Sequence, residues 1–200
     1  TGAFRQSKPK DLLLKRLPFA YDPQATCPRW TAFIEEITAG RADMATFLQR
    51  FAGYCLTTDT SEHALLLAVG EGRNGKSTFV ETLMFVLGDE FSAASPPGLL
   101  LATKFQQHPT EIIALKGKRL VVVSEVPKSG AFAEERVKWM TGGDKLSGRG
   151  MRQNFDSFRA THKFIICANH PPKVADASDG FWRRVLVAEF TVSFKGREDH

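Results

Sequence analysis

Cysteine is scarce in this 200-residue chain: Cys27, Cys55 and Cys167 lie far apart, odd in number and without C-x-x-C spacing, which argues against a disulfide framework and for reduced thiols. Long apolar runs are also missing. Runs such as ALLLAV at 64–69 and LVVV at 120–123 are far too short to span a bilayer, and no secretory apolar segment opens the chain. A soluble, unexported, cytoplasmic protein is expected. There is no internal repeat and no low-complexity tract. Acidic residues are in deficit, 22 Asp and Glu against 27 Lys and Arg, and the net charge of +5 favours an anionic partner. What is present suffices for a real core: 42% of residues are apolar and 10% aromatic. The opening TGAFRQSKPK, which does not begin with Met, reads as the continuation of a longer protein.

The pattern divides the chain in two. In CPRWTAFIEEI, Trp30, Phe33, Ile34 and Ile37 recur at helical spacing, with Pro28 suited to a first turn. Met44, Phe47, Leu48, Phe51 and Cys55 repeat the pattern, with Asp43 placed as N-cap. Residues 1–60 are therefore expected to form a small helical subdomain. From 61 to 200 short apolar runs alternate with helical segments, the signature of a buried parallel α/β sheet. Residues 64–69, 119–124, 163–168 and 184–190 are the predicted strands. A helix with Phe79, Val80, Leu83 and Leu87 on one face should stop at Gly88, and EERVKWM at 134–140 forms another.

Between the first strand and its helix stands GEGRNGKST, comprising Gly70, Glu71, Gly72, Arg73, Asn74, Gly75, Lys76, Ser77 and Thr78. It fits the phosphate-loop pattern G-x-x-x-x-G-K-[ST], which arises by accident in a chain of this size with odds on the order of one per cent. Its place after a strand and at a helix start is the confirming context, because loop amides and the helix N-terminus together favour phosphate. Lys76 should reach the β/γ-phosphates of a nucleotide such as ATP, and Ser77 a Mg²⁺ ion. Asn74 either reaches phosphate or fixes the turn. A glycine-rich turn that binds nothing is the competing reading.

Gripping a nucleotide needs no more than this loop, whereas hydrolysis needs a carboxylate to handle Mg²⁺ and orient water. KRLVVVSEV supplies Glu125 at the end of an apolar strand, preceded by Ser124 rather than by a second acid. The next strand ends in Asn169, a neutral amide suited either to water or γ-phosphate or to capping a turn before His170. GFWRRV then brings Arg183 and Arg184, candidates for neutralising charge on a transferred phosphate or a plain surface pair.

The order G-x-x-x-N-G-K-S, strand with Glu, K-W-M-T-G-G-D, F-I-I-C-A-N-H-P-P and F-W-R-R resembles the superfamily 3 helicases. It is most similar to the branch of phage and plasmid primase-helicases and poxvirus-type replication ATPases. YDPQATCPRW and LQRFAGYCL extend the likeness over nearly the whole chain. The resemblance implies an AAA+-like parallel sheet, ATP and Mg²⁺ as cofactors, assembly into a ring, usually a hexamer, and movement along single-stranded DNA, with a linked or associated primase. Carried over, Lys76 and Ser77 are the loop residues, Glu125 the strand-end acid and Asn169 the sensor. Arg183 or Arg184 would reach a neighbouring subunit's nucleotide.

What the energy drives turns on TGGDKLSGRGMRQNFDSFRATH. Gly148 and Gly150 with the polar Gln153 and Asn154 suit a hairpin turn, and Lys145, Arg149, Arg152 and Arg159 outnumber Asp144 and Asp156. Lys145, Arg149 and Arg152 are the candidate DNA contacts, with Phe155 available to stack on bases and Phe158 better suited to the core. In the family this position resembles the hairpin that grips DNA in the ring's channel. A nucleotide-dependent assembly or signalling module that moves no nucleic acid is the alternative from another class. An RNA-directed viral helicase is a third reading.

Overall fold

The computed structural model describes residues 5, 7–17, 19–96, 98–102, 108–124, 126–175 and 178–196. After a 3₁₀ turn at Pro9–Asp11 come α1 (Pro28–Ile37), α2 (Ala42–Cys55), β1 (Leu65–Val69), α3 (Lys76–Phe91), β2 (Ser92–Ala94) and α4 (Pro109–Ile113). There follow β3 (Leu120–Val123), α5 (Glu134–Thr141), β4 (Lys145–Gly148), β5 (Asp156–Arg159), β6 (Lys163–Ala168), α6 (Asp179–Trp182) and β7 (Val185–Glu189). Five strands form a parallel sheet in the order β2-β3-β6-β1-β7, and β4 pairs with β5 as a separate antiparallel hairpin.

The sheet forms where the apolar runs are because β1, β3 and β6 are covered on both faces, so no polar alternation is needed. Successive residues feed opposite cores. Leu66, Ala68, Leu120, Val122 and Ile165 face a layer made by Ile37, Met44, Leu48 and Phe51 of the first two helices and Phe79, Val80 and Leu87 of α3. Leu65, Leu67, Val121, Val123, Phe164 and Ile166 face Leu99–Leu101, Val137, Met140, Leu146, Phe158 and Phe181. Each fully buried Leu, Ile or Phe contributes about 1.5–3 kcal/mol, so both layers are needed for stability. The N-terminal helices thus share one apolar layer with the sheet, and Trp30 of α1 stacks on Phe79 of α3 at 5.9 Å.

Several sequence expectations are corrected in detail. Asp43 is not the N-cap of α2: the helix starts at Ala42 with Arg41 before it, and Asp43 sits in the first turn, where its charge still favours the helix dipole. Gly88 breaks α3 as expected, with φ 62 and ψ 173, but one further turn runs on to Phe91. β7 pairs only with β1 on the described sheet, so its exposure alternates and Val187 is half open. Gly148 does not make the hairpin turn. It is a strand residue whose added Cβ would meet the Pro109 carbonyl oxygen at 2.6 Å and the Ile113 nitrogen at 2.7 Å, so glycine lets α4 lie against β4. The turn closes with Gln153 N–H donating to the Gly150 carbonyl at 3.2 Å, and Arg152, at φ 59, takes its left-handed corner.

At the sheet's N-terminal edge, Lys163 is buried. Its Nζ donates to the carbonyls of Thr57 (2.5 Å), Asp59 (3.1 Å) and Thr161 (3.2 Å) and lies 4.7 Å from the Tyr54 ring centre, fastening the end of α2 to β6. Burial brings its ammonium down to about 8. Neighbouring His162 is buried edge-on to Phe164 with neither ring nitrogen partnered among the described residues. Burial, then the Lys163 charge, lowers it to about 4.

Candidate functional site

In open parallel sheets, ligands sit beyond the carboxyl ends of the strands. Here those ends present the loop after β1, Ser124 after β3 and Asn169 after β6 around one cavity of about 630 Å³. The loop is braced from outside: Phe190 N–H donates to the Val69 carbonyl at 2.8 Å and Phe194 N–H to the Arg73 carbonyl at 2.8 Å. Gly75, at φ 86, begins α3, and an added Cβ there would strike Ile37 Cγ2, so α1 packs directly under the loop.

Asn74 holds the turn. It is 2% exposed, its Nδ2 donates to the Phe190 carbonyl at 3.1 Å, and its Oδ1 accepts from Lys76 Nζ at 2.9 Å. Lys76 also donates to the Gly70 carbonyl. Both acceptors are neutral, and no carboxylate pairs with Lys76 among the described residues. Burial, opposed by a weaker influence of Cys167, holds the ammonium below the ordinary lysine range. A largely buried cation with only carbonyl partners among the described residues favours an anion in the cavity beside it.

The predicted residues divide as follows. Gly72 through Thr78 line the cavity together with Asn169, whereas Gly70 and Glu71 face a second hollow between the loop and residues 189–195. Ser77 and Thr78 are exposed in the first turn of α3. Glu125 lies outside the described residues. Arg183 and Arg184 are not brought to this cavity. Arg184's carbonyl accepts from Leu65 N–H at the start of β1, one strand length, about 16 Å, from the loop. Arg183 is exposed there, while Arg184 is partly buried and donates to the Gly180 carbonyl.

Two titratable lining residues were missed from sequence. Glu81 lies one helical turn beyond Ser77, an i, i+4 relation that puts both on one face. Cys167 lies two residues before Asn169, the same-face spacing of a strand. Burial, moderated by Lys76 and reinforced by Glu81, pushes the Cys167 thiol up to about 11.

The basic segment is a second feature. In the β4–β5 hairpin Leu146 pairs with Phe158, both buried in the core, while Lys145 stands directly opposite Arg159 and both are exposed. Like charges in that position oppose pairing. Arg149, Met151, Arg152 and Phe155 are exposed in the connecting loop, and the Arg149 guanidinium carbon lies 5.0 Å from the Phe155 ring centre. Asp156 is held by Lys116 next to α4, so its charge is already engaged, and that ion pair lowers its carboxyl below the usual range.

Fold and loop together define the class: a parallel α/β domain whose first strand runs into a glycine-rich loop of phosphate-binding pattern at the start of a helix. Residues 68–184, more than half the chain, match the family of unknown function DUF5906, and the chain belongs to it. Residues 1–39 match the description "D5 N terminal like". A protein of Acanthamoeba polyphaga mimivirus named "Putative helicase L207/L206" is 26% identical over 201 residues, covering 96% of this chain and 20% of that protein. "Putative primase C962R" of African swine fever virus (isolate Warthog/Namibia/Wart80/1980) is 27% identical over 137 residues, 66% of this chain and 14% of that protein. The chain thus spans a fifth or less of these relatives. Among solved structures, the apo NrS-1 C-terminal region (305–718) matches with TM-score 0.65 at 17% identity, covering 86% of this chain and 42% of that one. JCV helicase matches with TM-score 0.55 at 14% identity, covering 84% and 46%. At such identities these two matches establish the parallel α/β fold. No helix among the described residues is long and apolar enough to cross a membrane.

Proposed function

We propose that the chain is the ATP-driven motor domain of a DNA helicase acting in viral, phage or plasmid replication. It would translocate on single-stranded DNA as a ring of copies, in a longer protein that carries or recruits a primase. The observation that carries this reading is the course of β6. The strand follows the basic hairpin after residues 160–162 and ends at Ala168, next to Asn169 in the cavity beside Lys76. One short strand therefore joins the feature suited to a polyanion to the feature suited to a triphosphate. The names of the viral relatives point the same way.

The residues present fit ATP and Mg²⁺. Lys76, without a carboxylate partner among the described residues, would neutralise phosphate charge, and the N-terminus of the long α3 adds favourable amides. Ser77 would hold the metal ion, with Glu125 as the strand-end acid that serves the metal ion, the attacking water or both. Asn169 would hold water or a phosphate oxygen without adding negative charge. ATP when bound supplies the free energy of hydrolysis. Arg183, exposed at the far end of the sheet, would serve a neighbouring copy, with Arg184 beside it in the same role. Lys145, Arg149 and Arg152 would contact DNA phosphates.

The test is ATPase activity of the full-length protein with and without single-stranded DNA, alongside unwinding of a forked duplex. Stimulation and unwinding are expected, and both should vanish in Lys76→Ala. ATP-driven assembly without either would overturn the motor in favour of an assembly module, and a preference for RNA strands would redirect it to RNA.

A further inference from the structure

Phe155 is a large apolar side chain 60% exposed, in a loop where every residue from 151 to 155 is exposed. It is not a stray surface aromatic, because Arg149 is placed over its ring and the hairpin beneath is anchored. Leu146 and Phe158 are buried in the core, Gly148 lies tight against α4, and Asp156 is fixed by Lys116. With Asp156 engaged, Asp144 before β4 is outnumbered by Lys145, Arg149, Arg152 and Arg159, and Lys145 and Arg159 oppose each other across the strands. A partner for this tip must therefore be anionic and must also present a flat face to an aromatic ring. Unpaired nucleotides meet both requirements: every base has a π-face, and a guanidinium beside the ring sits close to the adjoining phosphate.

We propose that Phe155 and Arg149 form one stacking platform, on which an unpaired base of the strand lies against the open face of Phe155 while Arg149 holds both the ring and the neighbouring phosphate. This rests on reading the hairpin as the single-stranded DNA interface. It adds that the grip includes a base contact, tolerant of sequence, and not phosphate contacts alone.

The experiment uses the full-length protein and fluorescein-labelled oligothymidylate, compared with a strand of the same length in which abasic sites keep the phosphates but remove bases. Fluorescence anisotropy across a salt series reads both affinity and slope. Phe155→Leu is expected to bind oligothymidylate roughly tenfold more weakly, with an unchanged salt slope, and to discriminate less between the two strands. Phe155→Trp should retain wild-type discrimination. If Phe155→Leu binds and discriminates like the wild type while Lys145→Gln/Arg149→Gln/Arg152→Gln loses affinity, the platform is wrong and the interface stands. If the triple variant also binds like the wild type, the interface reading itself falls, and the platform with it.

Discussion

His162 makes stability depend on pH in a way that can be worked from its surroundings. The ring is 2% exposed, lies against Phe164 and has no hydrogen-bond partner on either nitrogen among the described residues. Burial, with Lys163 next to it, lowers its pKa from 6.5 to about 4. Because the folded value is depressed, the unfolded chain binds the proton first as pH falls. The stability associated with this group is complete above 6.5 and is lost progressively down to about 4. That linkage amounts to about 2 kcal/mol at pH 5 and about 3 kcal/mol at pH 4. His162→Leu removes the titration and two orphaned polar atoms, so it should also be more stable at pH 7 by about 1–3 kcal/mol. Urea unfolding followed by tryptophan fluorescence at pH 7 and pH 5 measures both effects. Other titrating groups act equally on the two proteins, so the difference isolates this ring. The wild type should lose about 2 kcal/mol relative to His162→Leu between those pH values. Parallel pH profiles would refute the argument.

Three further outcomes are expected. Asn74→Ala should lower stability by about 3 kcal/mol, since it strands the Phe190 carbonyl and removes a neutral acceptor from Lys76; a midpoint shift under 1 °C in thermal unfolding would contradict it. Arg152→Gly should relieve the left-handed corner at φ 59 and leave stability unchanged or up to about 1 kcal/mol higher. It should also reduce the salt slope of single-strand binding by about 0.7, one phosphate contact, and an unchanged slope would remove Arg152 from the interface. Cys167, with its thiol raised to about 11, should alkylate slowly at pH 7 in a Cys27→Ser background and about tenfold faster per pH unit up to pH 9. Nucleotide should block the reaction, and labelling indifferent to nucleotide would place the ligand elsewhere.

What was legible in the sequence followed from local causes. β1, β3 and β6 are unbroken apolar runs because both faces are covered, and α1, α2 and α3 carry their apolar residues at helical spacing. The loop declared itself by glycines and Lys76, and Phe158 entered the core as expected. The elements that escaped notice, β2, α4 and α6, are three to five residues long, too short for any period to register. Tertiary contacts hid the rest. Gly148 owes its identity to α4 and not to a turn, and the carbonyl cage around Lys163 depends on where α2 ends. Glu81 and Cys167 were readable in principle, by helix and strand spacing from Ser77 and Asn169.

The arginines after α6 set the strictest test of assembly. Arg183 and Arg184 enter β7 beside the start of β1, and Val69, after which the glycine-rich loop begins, pairs with Glu189 at the other end of that register. About 16 Å of strand separates them, roughly twice the reach of an extended arginine side chain, so in one chain neither arginine touches its own cavity. If either serves hydrolysis, it does so at the site of another copy. Arg184 is committed to the Gly180 carbonyl and partly buried, which leaves Arg183 the freer of the two. Arg183→Ala and Lys76→Ala should each be inactive alone, for different reasons: one lacks the donated arginine, the other the receiving lysine. Mixed, they form some interfaces in which an intact Lys76 faces an intact Arg183, and a fraction of the DNA-stimulated ATPase should return. Arg184→Ala mixed with Lys76→Ala is the matched comparison. Full activity in both single arginine variants would remove them from the reaction. Inactivity that no mixture relieves would return them to a structural role at the sheet edge.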